Sequence, residues 1–466
     1  MAEFKAREIL RVTEGKLLQG NLETTFQGVS TDSRSLKPGS IFIALKGENF
    51  DGHHFVSEAL AKGAKGAIVE RPVRREENSH FCIFQVTSSL SALRKIAAYH
   101  RQRFSLPIVA ITGSNGKTTL KELVYHLLSP CFTVLKTPYN YNNEIGLALT
   151  LLELNPVHQV AVLELGINHV GEMERLREMV KPEIAVFTNI GKTHLEFLEN
   201  PWGVLKEKIA LLRHFNKKNT AVFNSDDPLL RKWFLRERRK FSLISFGIEE
   251  EADFRGRSLI LSDKEIRFRV KAVDFALPLV GRHNVYNVLA AISTGSIFGI
   301  SLKEMALSLK DFHPPRMRMN VLRINQEGKK FILIDDTYNA NPQSVISALE
   351  SFSYFKASGK KVLILGDMLE LGSWAQACHE EIALFLREKK IDILLTFGKY
   401  TQEIGKIVIS SGKIREVRHF TTHAEIIEFL KENIDTGDVL LVKGSRLMHM
   451  EKVVQGILSE ERVSVI

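Results

Sequence analysis

The sequence predicts an α/β protein of three domains. These are a small α/β domain over 1–103, a central doubly wound, mostly parallel sheet built on a phosphate loop over 104–313, and a Rossmann-like α/β domain over 314–466. Three observations predict it. A Gly-rich loop breaks an apolar run at PIVAITGSNGKTT, 107–119. Apolar strands alternate with helix-length segments on its C-terminal side. The 466-residue chain is also too long for one core.

The first hundred residues mix short strands and turns: VSTDSRSLKPGSIFIAL, the helix-like FVSEALAKG, then AKGAIVE. They end in the helical SALRKIAAYHRQRF, and Pro107 behind it sets a boundary near 104. Strand IVAIT then leads to a helix over 117–128 and VAVLELG (160–166) to one near 171–180. IAVFTNIG (184–191) precedes a helix near 202–214, and TAVFN (220–224) continues the series. Paired prolines in HPPRMRM, 313–319, break the helix pattern and suggest the second boundary. FILIDD (331–336), KVLILGD (361–367), IDILLTFG (391–398) and DVLLVKGS (438–445) form a further alternating set, with helices such as QACHEEIALFLREK between them. Their Leu-rich, β-branched composition suits strands buried on both faces. Ligands of such sheets bind beyond the carboxyl ends of the strands, where Gly366-Asp367, Gly398 and Lys443-Gly444-Ser445-Arg446 fall.

Composition narrows the classes. A hydrophobic content of 44% and a charged content of 25% are those of an ordinary globular protein. The N-terminal MAEFKAREILRVTEGKLL has no apolar core of a signal peptide, and the uncharged stretch near 284–302 carries too many polar residues for a membrane span. Cys82, Cys131 and Cys378 lie far apart, which reads as reduced thiols in a cytoplasmic protein without a zinc site. The net charge of +10 points to anionic partners, and its densest cluster is RKWFLRERRKF, 231–241. Trp233 and Phe234 there could stack on bases. No nucleic-acid module accompanies them, so an amphipathic helix with aromatics inward is the favoured reading and no nucleic-acid partner is expected.

The loop Thr112, Gly113, Ser114, Asn115, Gly116, Lys117, Thr118, Thr119 carries the chemistry. Its glycines let backbone N–H groups approach phosphate oxygens. Lys117 supplies a point charge, the Thr118 hydroxyl can ligate Mg²⁺, and the following helix turns its positive end to the same anion. Ile111 stands where the full P-loop pattern has a further glycine. The loop predicts a bound nucleoside triphosphate. Metal ligands should lie near it: Glu164 ends a strand, His194 follows the next, and Lys208 sits in a helix beyond. Singly, each also fits an exposed strand end, a helix cap or a surface lysine.

In combination, TGSNGKTT, LELG, THLE, the helical lysine and GRHNVYNVLAA resemble the ATP-dependent Mur ligase family. STDSRSLKPGSIFIALKGENFDGHHF is similar to the uridine-diphosphate-binding domain of its later-acting members. DDTYNANPQS (335–344), LGDMLELG (365–372) and VKGSRLMHME resemble the branch that joins D-alanyl-D-alanine to UDP-N-acetylmuramoyl-tripeptide. The resemblance covers essentially the whole chain. It implies ATP, two Mg²⁺ ions and a CO₂-derived carbamate on Lys208 as cofactors, and a cytoplasmic monomer. Lys117 and the loop amides would hold the β- and γ-phosphates, Thr118 and Glu164 a first Mg²⁺, and His194 and carbamylated Lys208 a second metal region. Lys206 competes with Lys208, which matches the family's spacing from Gly203-Val204. Asn284 and Asn287 would lie near adenine, and Arg318 and Asp336 would close onto the phosphates and ribose. Ser30, Thr31, Asp32, Ser33 and Arg34 resemble the uridine-nucleotide loop. Asn142 and Asn143 would meet the muramoyl portion, and Asn339 and Asn341 the dipeptide side or the domain closure. LEFLENPWG replaces the family's usual Gly-Ser pair, and Tyr139 stands where Gly is frequent.

The implied reaction activates a peptide carboxylate as an acyl phosphate, which the dipeptide amine then displaces. Domain closure is expected to bring Arg318 to the nucleotide. Two rivals are a ligase adding a single amino acid to a shorter muramoyl peptide and an NTP-driven nucleic-acid switch.

Overall fold

Four sheets order the described residues of the computed structural model, which are 2–47, 50–73, 81–237, 240–326, 328–410 and 412–458. The first unit is a five-stranded sheet in the spatial order Lys16–Gln19, Cys82–Gln85, Gly66–Val69, Ile41–Ile43, Val29–Ser30, with a two-stranded ribbon of Glu3–Lys5 and Thr25–Gln27 beside it. Only the Lys16–Gln19 pairing in the larger sheet is antiparallel. Helix Ser89–Arg101, capped by the Ser88 hydroxyl, touches strand Gly66–Val69 of this sheet and packs on its other side onto helices Glu144–Leu152 and Glu172–Val180. Arg94 pairs with Glu144 at 2.8 Å, and buried Arg101 donates to the Val180 carbonyl at 3.2 Å and Glu183 at 3.1 Å. The junction near 104 is therefore cemented by a helix that belongs to both cores.

The central sheet has nine strands in the order Val273–Leu277, Ile266–Val270, Phe254–Leu261, Ser242–Gly247, Thr220–Asn224, Ile184–Phe187, Ile108–Thr112, Val160–Glu164, Val134–Lys136. It is parallel from Val134–Lys136 as far as Phe254–Leu261 and antiparallel beyond. Five strands were absent from the alternating series read in the sequence. Three of them, Phe254–Leu261, Ile266–Val270 and Val273–Leu277, form a half-exposed meander whose polar residues alternate with buried ones, as in IRFRV. Ile108–Thr112 sits between strands that precede and follow different crossovers, so the crevice opens at its carboxyl end.

The third sheet runs Asn320–Gln326, Lys329–Asp336, Val439–Lys443, Lys361–Gly366, Ile393–Phe397, Glu416–Phe420. Its first pairing is antiparallel and the others parallel. The two edge strands, polar and half exposed, are the ones the apolar pattern did not mark.

Helix Pro228–Glu237 turns Phe234, fully buried, against Phe223 and Phe187, and Trp233 packs beside the same core. These aromatics are core residues, not a stacking platform; Arg238 and Arg239 of the basic cluster lie outside the described residues, as do Glu48 and Asn49 of the uridine-like string. Among the described residues no helix is long and apolar enough to cross a membrane.

Candidate functional site

A cavity of about 940 Å³ opens where the phosphate loop faces the third sheet. The loop's shape is fixed by contact with its neighbours. Gly113 has φ 146° and Gly116 φ 84°; a Cβ on the first would stand 1.8 Å from Thr188 Oγ1, and on the second 2.3 Å from Asn287 Oδ1. Glycine is thus required here by packing as well as by approach to phosphate. Ser114 and Asn115 are strapped to the next strand's loop: Ser114 N–H donates to Asn189 O (2.9 Å), Asn115 N–H to Asn189 Oδ1 (3.0 Å), and Thr188 Oγ1 to Asn115 O (2.6 Å). Thr112 and Thr119 are buried at the loop's two ends. The Lys117 ammonium lies on the carbonyls of Gly113 (2.8 Å) and Ser114 (3.3 Å). Burial weakens its hold on the proton, Glu164 strengthens it and Arg318 opposes.

Glu164 is the hub. Its Oε1 accepts from Thr118 Oγ1 at 3.1 Å and from Asn142 Nδ2 at 2.9 Å. Its Oε2 is buried without a hydrogen-bond partner, 3.8 Å from Lys121 Nζ. Carboxylate and hydroxyl oxygens converging beside a phosphate loop are a donor set that suits Mg²⁺, with phosphate oxygens and water completing the shell. Among the described residues no group of three or more His, Cys, Asp or Glu could hold a metal by itself.

Lys121 is a residue the sequence reading missed. Fully buried, its ammonium donates to the carbonyls of Thr137 and Tyr139, both at 2.9 Å, and pairs with Glu122 at 3.2 Å. It lies one turn after Lys117 on the same helix face, which was the available signal. Through Tyr139, at φ 44°, it fixes the segment that presents Asn142 and Asn143. Asn143 itself caps helix Glu144–Leu152, accepting from Gly146 N–H at 2.9 Å.

Two expected residues from the far end of the chain meet the loop, and two more lie beside them. Arg318 Nη2 donates to Thr118 Oγ1 at 2.8 Å while its guanidinium lies 4.0 Å from the centre of the Tyr338 ring. In this arrangement Arg318 touches the phosphate loop itself. Asn341 bonds across to the phosphate loop, donating from Nδ2 to Asn115 Oδ1 (2.6 Å) and accepting from Asn115 Nδ2 (3.2 Å), while its side chain also caps helix Pro342–Ser353. Asp336 is held by Lys443 Nζ at 2.6 Å and by the Met319 N–H at 3.1 Å. Asn339 shapes the loop beside it, accepting from Arg446 N–H at 3.2 Å.

Asn284 and Asn287 are buried at the start of helix Arg282–Ile297, Asn287 donating to Asn284 Oδ1 at 3.0 Å and Asn284 to Val280 O at 2.8 Å. Both line the cavity. Next to them sequence reasoning missed His283, whose Nδ1 is buried without a hydrogen-bond partner; burial pushes its pKa down to about 4, against the raising effect of Asp336. Asp226 was missed too. It accepts three backbone N–H groups, from Ile248, Glu249 and Glu250, plus the Tyr286 hydroxyl at 2.9 Å.

His194, at φ 53°, lines the cavity and bonds through Nδ1 to Glu370 Oε2 at 2.7 Å, which keeps the Glu370 carboxyl below its ordinary range. Lys208 does not line the cavity. It is 1% exposed and its ammonium makes no hydrogen bond among the described residues, whereas Lys206 is exposed. Burial first, then repulsion from Lys117, drives the Lys208 pKa well below the ordinary lysine value. The uridine-like residues also stay outside this cavity: Arg34 clamps Asp32 (2.9 and 2.8 Å), Ser30 Oγ donates to Asp32 O, and Thr31 and Ser33 complete the turn.

Comparison with known proteins follows the three units. Residues 25–101 match the family model described as Mur ligase family, catalytic domain; 111–295 match Mur ligase middle domain; 317–446 match Mur ligase, glutamate ligase domain. The chain is 32% identical over 461 residues to the UDP-N-acetylmuramoyl-tripeptide–D-alanyl-D-alanine ligase of Bacillus subtilis, covering 98% of this chain and 99% of that one. Identity to the Escherichia coli ligase of the same name is 34% over 453 residues, 95% and 96% of the two chains. Among solved structures, MurF from Acinetobacter baumannii superposes with a TM-score of 0.87 at 30% identity over 98% of this chain and 99% of the other. MurF from Thermotoga maritima in complex with ADP gives 0.80 at 29% identity, over 92% and 97%.

Proposed function

This chain belongs to the Mur ligase family, and we propose that it joins D-alanyl-D-alanine to UDP-N-acetylmuramoyl-tripeptide for peptidoglycan synthesis, converting ATP to ADP and phosphate. One observation carries this from the geometry. Glu164 accepts from Thr118 of the phosphate loop and from Asn142 of the neighbouring loop, so the nucleotide and a second substrate share one anchor.

A carboxylate is a poor electrophile at neutral pH. The terminal carboxylate of the tripeptide therefore attacks the γ-phosphorus, its oxygen bonds to phosphorus, and ADP leaves. The amine of the dipeptide then attacks the acyl carbon, and the tetrahedral intermediate collapses with loss of phosphate. Lys117 and Arg318 neutralise charge that grows on the transferring phosphoryl group, and the fixed loop amides do so without reorganising. Asn142 and Asn143 hold the muramoyl peptide, Asn284, Asn287 and Asp336 the nucleoside, and Ser30, Thr31, Asp32, Ser33 and Arg34 the uridine diphosphate. On this reading 1–103 binds the UDP end, 104–313 the ATP, and 314–466 the dipeptide.

Thr118 and Glu164, with its unpartnered Oε2, would hold a first Mg²⁺, which when bound neutralises phosphate charge. Lys208 is buried and its pKa is lowered, the direction that carbamylation requires; the carbamate with His194 would supply oxygen and nitrogen ligands to a second Mg²⁺. The enzyme acts as a cytoplasmic monomer.

The deciding experiment is phosphate release from ATP with UDP-N-acetylmuramoyl-tripeptide and D-alanyl-D-alanine, supplied singly and together. Release that requires both is expected. Equal release with a single amino acid on a shorter muramoyl peptide would overturn the assignment.

A further inference from the structure

Two loops of the third sheet meet at the cavity's outer rim. Leu369 N–H donates to Ser445 Oγ at 2.8 Å, and Ser445 N–H donates to Asp367 O at 3.0 Å. These bonds zip the loops together, so the next residue on each, Glu370 and Arg446, stands at the same rim with opposite charge. Both line the cavity, and so does Leu447, whose side chain is 68% exposed.

The Arg446 backbone is fixed by Asn339 Oδ1 at 3.2 Å, so the side chain starts from an anchored point. Its guanidinium has one carboxylate neighbour among the described residues, Glu451 Oε1 at 3.3 Å, and is half exposed. A guanidinium carries five N–H donors in a fork that matches a carboxylate, so donors remain for a second anion. Glu370 is committed to His194, on the loop whose Thr193 hydroxyl donates to Ser114 Oγ at 3.1 Å in the phosphate loop. Glu370 is thereby tied, through the His194 loop, to the phosphate loop, and Arg446 stands on the other of the two zipped loops.

We infer that Arg446 binds the terminal carboxylate of the acceptor dipeptide, with Leu447 covering its terminal methyl group and Glu370 fixing its direction. The inference rests on the ligase reading above. A zwitterionic dipeptide has its amine at one end and its carboxylate at the other, and an extended one spans at most about 7 Å. Glu370 repels the carboxylate and attracts the amino end, so the amine points to the reaction centre and the carboxylate points out to Arg446. This orientation is the productive one. It also gives a reason for selectivity: a substrate without a free carboxylate leaves the guanidinium without its second partner.

The test compares D-alanyl-D-alanine with its C-terminal amide as acceptors for the full-length enzyme. For the unaltered protein, kcat/KM should favour the free acid by roughly 30-fold, the usual worth of a charge-assisted pair. In Arg446→Ala the ratio should fall to within about threefold of unity through loss with the acid alone, and Arg446→Lys should restore part of it. KM for ATP and for the UDP-peptide should hold. A merely structural role for Arg446 would lower both acceptors alike, and an unchanged ratio in Arg446→Ala overturns the inference while leaving the ligase reading intact. If the unaltered protein forms no product from the dipeptide under any condition, the ligase reading falls first, and this inference falls with it.

Discussion

Arg318 Nη2 and Thr118 Oγ1 lie 2.8 Å apart although 200 residues separate them in the chain. The third domain thereby contributes a cation to the hydroxyl that the phosphate loop offers to a metal. On the ligase reading both domains would contribute to one nucleotide site.

Arg318→Ala should lower kcat/KM for ATP by roughly a hundredfold, as expected of a donor aimed at developing phosphate charge. Arg318→Lys should recover only part, since the forked geometry is lost. Steady-state kinetics with ATP varied checks this, and activity equal to the unaltered enzyme in Arg318→Ala would remove the residue from the site.

Glu164→Gln separates function from stability. The change removes a buried carboxylate whose Oε2 has no hydrogen-bond partner, so thermal unfolding should shift little or upward. Mg²⁺-dependent nucleotide binding, followed by calorimetry with and without the ion, should be lost. A large drop in melting temperature would show that the carboxylate is kept for the fold.

Lys121→Met should destabilise the protein by about 2–4 kcal/mol in denaturant unfolding, because two buried carbonyls, of Thr137 and Tyr139, lose their donor. It should also raise KM for the UDP-peptide more than KM for ATP, since the loop it braces carries Asn142. Equal effects on both constants would contradict the bracing role.

Lys208 gives a pH signature in CO₂-free buffer. Its pKa is lower folded than unfolded, so the unfolded chain binds more protons between those two values, and stability rises with pH across that window. Lys208→Met should abolish activity, stabilise the fold at neutral pH and flatten the alkaline rise. Urea midpoints at several pH values decide it; a variant less stable than the parent at pH 7 refutes the neutral-amine picture.

His283 acts on the acid side. With a folded pKa of about 4 against an ordinary 6.5, it should make stability fall as pH drops from 6.5 to 4, by up to about 1.4 kcal/mol per pH unit. His283→Gln should reduce that slope. An identical acid limb in the variant would assign the loss to other groups.

Much of the site was legible because its parts are local. The Gly113–Thr119 loop, strand-final Glu164 and the Asn284/Asn287 pair are each marked by residue type at a fixed point of a strand or helix. Lys208 is preferred to Lys206 on the family's spacing from Gly203-Val204, and the structure finds Lys208 buried and Lys206 exposed. What stayed hidden depends on tertiary pairing. Lys121's place one turn after Lys117 hints at its side of the helix, but the Thr137 and Tyr139 carbonyls that seal it are tertiary partners, and Glu370 meets His194 across 176 residues. The antiparallel meander 254–277 escaped because its Arg-rich alternation resembles surface, while the long apolar runs of buried parallel strands stand out.

The bond between Asn115 and Asn341 has a temporal consequence. A nucleotide seated on the phosphate loop lies beneath a latch formed by Arg318–Thr118, Asn115–Asn341 and His194–Glu370, each bond spanning two domains. Any separation of the two domains breaks all three bonds at once. On the ligase reading, a nucleotide held behind all three would keep bulk water from a reactive acyl phosphate, and its release would wait on their parting.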